Sequence, residues 1–206
     1  MELVVVAVDI GEGGGGSWWR SSPAGAHGGR DLEALADVLV SDLRAKRRVA
    51  LGFTGPMFVP VPADARRLAR PRAGETDGSW CVGRSAEALA ETVQQVAWLV
   101  RRIRSRIPRR TVAATTVMAD LLERRADLAI WEAVGEPGRG DPRAAVDAFV
   151  ARCSGRHVVE DLLDPTVLSL GGLALTWGGF DVAPADLAEP CMVVRVPTTA
   201  KLPVRA

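Results

Sequence analysis

Leu3-Val4-Val5-Val6-Ala7-Val8-Asp9-Ile10-Gly11 is the stretch whose reading decides the fold. Six apolar residues, four of them valine, end in one carboxylate, and a glycine-rich turn at 12–16 follows. An apolar run of this length, bounded by a turn signal, reads as a strand buried on both faces. Asp9 falls where such a strand leaves the core. A charge there is costly unless it is solvated, paired or bound to a cation.

Working outward, residues 17–21 begin Ser17-Trp18-Trp19-Arg20. The paired tryptophans favour a second strand over a helix, so the glycines read as a hairpin connection rather than a phosphate cradle. Residues 22–29 read as a loop or a weak third strand. Asp31 caps a helix to about Lys46, with Leu32, Leu35, Ala36, Leu39 and Leu43 at helical spacing. Val49-Ala50-Leu51-Gly52-Phe53 is a second buried strand, ending in Thr54-Gly55-Pro56. A right-handed crossover would lay it parallel to the first and beside it.

An insertion at about 57–84 follows, proline-rich at first and then rich in Arg, Gly and Asp, and reads as a long exposed excursion. It contains Trp80, which reads as folded back on its own domain or as a base-stacking group, and Cys81. Ser85 can cap a helix to about Ile107, with Leu89, Val93, Val96, Ala97, Val100 and Ile103 as its buried stripe. That helix ends in Arg101, Arg102, Arg104, Arg106, Arg109 and Arg110. The cluster reads as a solvated end suited to the helix dipole, or as a phosphate-binding edge. A shorter helix is expected over 115–125. The third buried strand is Asp127-Leu128-Ala129-Ile130-Trp131-Glu132-Ala133-Val134. Asp141-Pro142 starts a helix to about Cys153, with Val146, Phe149, Val150 and Cys153 inward and Asp147 on the edge of that stripe. Asp164-Pro165 starts a further helix toward Trp177. Residues 191–196 form a last strand at an edge.

Composition bounds the rest. The chain has 206 residues, 48% apolar, and a formal net charge of +1. That suits one domain with a sizeable core, and the bulk charge offers no argument for nucleic acid or a membrane. Three distant cysteines (Cys81, Cys153, Cys191) and two histidines (His27, His157) contain no CxxC, so neither a zinc site nor a disulfide framework is expected. This points to a reducing cytoplasm. Met1-Glu2 runs straight into the strand, so no signal peptide is expected. No apolar run reaches the roughly 18 residues of a bilayer span.

Three carboxylates share a pattern: Asp9 and Glu132 near the ends of apolar strands, and Asp147 on the helix that follows the second. Neighbouring strands lie about 4.8 Å apart. Acids at their ends can converge on cations spaced roughly 3.5–4 Å, as in two-metal phosphoryl-transfer sites. The competing reading is that strand ends are wet and acids there are harmless.

Strand with Asp, glycine turn, second strand, helix, parallel strand, insertion, strand with Glu, helix with Asp: this order resembles the ribonuclease H-like fold. More narrowly it resembles uncharacterised bacterial proteins of the domain of unknown function 429 type. "VVVAVDIG", "VALGFTGPMFVPVP", "LAIWEAVG" and "DPRAAVDAF" carry the likeness, which with the tail from "LSLGG" covers most of the chain. The resemblance implies a single α/β domain over 1–206, with a mixed five-stranded sheet flanked by helices on both faces. It implies that Asp9, Glu132 and Asp147 are catalytic and hold Mg²⁺ or Mn²⁺. The activity implied is metal-dependent hydrolysis or transfer at a phosphodiester, acting on nucleic acid or a phosphorylated small molecule. One departure stands out. Such enzymes carry an acid near the end of the second parallel strand, where this chain has Thr54, and Glu12, Glu136 or Asp141 are the candidates to replace it. The alternative implied is a non-catalytic relative that keeps the fold for binding, alone or as a homodimer. "DIGEGGGG" also resembles the first phosphate loop of the sugar kinase and actin superfamily, which needs two such domains.

Overall fold

The computed structural model describes residues 2–10, 16–68, 70–72, 83–108, 112–135, 141–153 and 166–197. The expectations for the glycine turn at 12–15, for Trp80 and Cys81, for Glu136, for His157, for Arg109 and Arg110, and for Asp164-Pro165 lie outside these residues. The chain is α/β. Its main sheet is mixed and has seven strands: β1 (Leu3–Asp9), β2 (Ser17–Ser22), β3 (Gly25–Gly29), β4 (Arg48–Phe53), β6 (Ala114–Thr115), β7 (Leu128–Val134) and β9 (Val193–Arg195). Three-residue strands β5 (Phe58–Pro60) and β8 (Val167–Ser169) pair antiparallel in a separate small sheet.

The main order is β3-β2-β1-β4-β7. Here β2 runs antiparallel to β1, β3 antiparallel to β2, and β4 and β7 lie parallel to β1. The crossover expected between the first two apolar runs is present, through α1 (Leu32–Arg44), and Asp31 caps it by accepting the Glu33 N–H at 2.8 Å. The sheet exceeds the five expected strands because the outer edge of β7 is shared. β6 pairs with its first half and β9 with its second.

Two apolar layers form because strand residues alternate between faces. One face carries Val4, Val6, Val8, Leu51, Phe53 and Ile130 against α1, α2 (Gly83–Arg106) and α5 (Leu170–Gly178). The other carries Val5, Ala7, Ala50, Ala129, Trp131 and Ala133 against α3 (Met118–Leu122) and α4 (Pro142–Cys153). On that second face the Trp131 indole packs against Gly52 of β4. A Cβ on Gly52 would stand 2.1 Å from its ring, so only glycine fits there.

The structure corrects several local expectations. The helix expected over 115–125 is the bridge β6 followed by the short α3, because β-branched Thr115 pairs with β7 instead. The helix toward Trp177 starts at Leu170 with Ser169 as its cap, and β8 precedes it. Val150, expected inward, is exposed, and Ala145 takes its place beside Val146 and Phe149. On α2, Val96, Val100 and Ile103 are buried as expected and Leu99 joins them, while Val93, expected inward, is exposed, as is Trp98. The excursion is not wholly exposed either, since Met57, Phe58 and Arg72 are buried. Among the described residues no helix is long and apolar enough to cross a membrane.

Candidate functional site

Asp9 is the last residue of β1 and is half-buried. It belongs to the face of Val5 and Ala7, the side covered by α4. Thr54, just past β4, sits beside it. The Thr54 hydroxyl accepts the Ile10 N–H at 3.0 Å and donates to Asp9 Oδ1 at 2.8 Å, while the Thr54 N–H donates to the Val8 carbonyl at 2.9 Å. The residue standing in place of the expected acid thus splints the exit of β1 and orients its carboxylate.

Burial pushes the Asp9 carboxyl up from its ordinary range. The Thr54 hydrogen bond opposes this, and the charge of Asp141 adds to it. Asp141 is the N-cap of α4, accepting the Arg143 N–H at 2.9 Å and the Ala144 N–H at 3.3 Å. The acid that acts on Asp9 is therefore Asp141. Asp147 lies six residues further along α4, roughly 9 Å at 1.5 Å per residue. It is exposed and makes no hydrogen bond or ion pair with a described residue.

Glu132 is placed differently. Val8, Phe53 and Glu132 are register partners across β1, β4 and β7. Partners across parallel strands project from one face, so Glu132 leaves the sheet toward α1, α2 and α5, opposite to Asp9. It is 1% exposed and fully engaged. Arg72 Nη1 donates to Oε2 at 2.7 Å, Arg72 Nη2 donates to Oε1 at 2.6 Å, and the Met57 N–H donates to Oε2 at 2.9 Å. The guanidinium also lies over the Phe58 ring, 4.7 Å from its centroid. This is a bidentate, charge-assisted clasp. It pins residues 57, 58 and 72 of the excursion to β7.

The three acids proposed from sequence therefore do not converge. Asp9 has Thr54 and Asp141 for company, Glu132 is held by Arg72 on the other face, and Asp147 is exposed with no hydrogen-bond or ion-pair partner among the described residues. Magnesium and manganese ligands must present free oxygens toward one point. Glu132 has none to offer, so the trio does not fit one or two such ions. Among the described residues no group of three or more His, Cys, Asp or Glu could hold a metal ion. Burial raises the Cys153 thiol, only partly offset by Arg152, so it is not activated.

Sequence reasoning missed Arg72. The available signal was indirect: an acid inside an otherwise apolar strand demands a cationic partner, and the excursion is rich in arginine. A second buried pair was missed too. Arg20 of β2 and Asp42 of α1 form two hydrogen bonds, Nε to Oδ2 at 2.8 Å and Nη2 to Oδ1 at 2.7 Å.

No family model matches the chain, and neither does a curated protein or a solved structure. Fold and site together define an α/β domain with a mixed sheet and one partly buried aspartate at the rim of its central strand.

The state of Asp9 yields a pH prediction. Its folded-state pKa lies above its unfolded value. The native state therefore binds the proton more tightly, and ionisation weakens folding as pH rises through that range. Asp9→Asn removes the charge and keeps an oxygen for the Thr54 hydroxyl. Its melting temperature should match the parent at acid pH, and the variant should become the more stable protein toward neutrality. Thermal melts at a series of pH values check this; a gap that closes with rising pH would contradict it.

Proposed function

We propose that this chain is a ribonuclease H-like domain serving as a non-catalytic binding or interaction module. An antiparallel meander β1-β2-β3, then a helical crossover to a parallel strand beside β1, supports the fold assignment. This is the element order on which the resemblance rests. The single observation that carries the functional reading is the Arg72–Glu132 clasp. It ties up the acid that hydrolysis would need and holds it on the face away from Asp9. Thr54 in the position of a further acid supports the same reading.

Metal-dependent hydrolysis at a phosphodiester remains the second reading, favoured by one observation: Asp141 is close enough to Asp9 to raise its carboxyl. Incubation with single strands, duplexes and RNA–DNA hybrids, in Mg²⁺ and in Mn²⁺, separates the two. The binding reading expects no cleavage of any substrate. It also expects that adding either ion shifts the melting temperature of the parent and of Asp9→Asn equally. Cleavage that disappears in Asp9→Asn would overturn it in favour of hydrolysis.

A further inference from the structure

The outer side of the α2–α5 pair carries a groove of about 570 Å³ that the Asp9 site does not use. Its geometry starts from close packing. A Cβ on Gly178 would stand 2.6 Å from Val100 Cγ1, so glycine lets the end of α5 settle onto α2. Gly179 then turns the chain with a φ of 94°, and Phe180 returns to the core. This leaves Trp177 on the outside, 59% exposed, with the Arg101 guanidinium 5.0 Å from its ring centroid. Trp98, one turn back along α2, is 43% exposed. Gln94, Arg102 and Ser105 continue the lining.

The charges differ along the helix. Arg102 pairs with Glu33, Arg106 pairs with Glu33 and Asp37, and Arg104 donates to the carbonyls of Gly179 and Pro108. Among the described residues, Arg101 makes no ion pair and no acid lines the groove. An uncharged apolar helix seated here would bury Arg101 unpaired, which is strongly unfavourable. A second copy would bring the same positive groove against itself. The ligand that suits two exposed indoles beside arginine has flat rings and repeating negative charge.

We propose that this groove binds single-stranded nucleic acid without sequence preference, its bases stacking on Trp98 and Trp177 and its phosphates meeting Arg101. Stacking platforms beside cationic side chains bind single strands in this way. The assignment rests on the binding-module reading and names its partner. The two fail by different readouts, since failure of that reading appears as metal-dependent cleavage.

The test is titration of the full chain with a fluorescent oligo-dT and an oligo-rU of ten nucleotides, at several salt concentrations. Binding should weaken linearly on a log–log salt plot. Trp177→Ala, at an exposed position, should weaken binding about 5- to 150-fold, the equivalent of one lost base stack of roughly 1–3 kcal/mol. Arg101→Ala should weaken it and lower the salt slope by about one. No binding at low salt overturns the assignment. So does binding indifferent to both substitutions, equal binding of an aromatic-containing oligoglutamate peptide, or a dimer that Trp177→Ala dissolves.

Discussion

Arg72→Met should destabilise the protein by about 3–5 kcal/mol, the usual effect of leaving one member of a buried ion pair without the other. Both side chains are almost fully withdrawn from water, at 0% for Arg72 and 2% for Glu132, so solvent cannot take over the lost partner. The substitution also removes the cation lying over Phe58. For a chain of this size each kcal/mol lowers the melting temperature by about 2–4 °C, so a drop of roughly 6–20 °C is expected. The double variant Arg72→Met, Glu132→Leu should recover most of the loss, because a buried pair replaced by apolar side chains is often neutral or stabilising. Chemical denaturation of the parent, the single variant and the double variant measures this. A single variant as stable as the parent would mean that Glu132 is not clasped, and would return it to the list of acids available for chemistry.

Asp42→Ala is the second large effect, again about 3–5 kcal/mol. Asp42 sits at the end of α1 facing the sheet and holds Arg20 through two hydrogen bonds, with a third from Arg47 at 2.9 Å. The two arginines respond differently to its loss. Arg20 is buried in the strand layer and, among the described residues, has only Ser22 left to bond. The Arg47 side chain is 35% exposed and can turn to water. Arg47→Ala should accordingly cost only about 0–1 kcal/mol, in the range of exposed pairs. Urea midpoints for the two variants make the comparison, and equal losses would show that burial does not decide the strength of these contacts.

Much of the architecture was legible along the chain. Leu3 to Val8, Val49 to Phe53 and Leu128 to Val134 are apolar runs too short for helices and bounded by turn residues. All three are parallel neighbours in the sheet. Asp31 and Asp141-Pro142 marked helix starts because a side-chain oxygen there satisfies amides that the helix leaves open, and both do so. The bridges β6 and β8 were not legible. Two or three residues carry no periodic signal, and they are strands only because a partner lies beside them. The places of Val93 and Leu99 on α2 were missed for a related reason. Val93 and Leu99 are equally apolar, and only packing against α1 and α5 decides which faces inward.

By itself the sequence determined that Asp9 and Glu132 end up near the exits of buried strands, since apolar runs and turn residues fix where strands stop. Tertiary structure alone decided that they emerge on opposite faces. Alternation assigns each side chain a face only after the strands are aligned with one another, and the alignment Val8–Phe53–Glu132 joins segments distant in the chain. A shift of one residue in that register would have turned Glu132 toward Asp9 and away from Arg72.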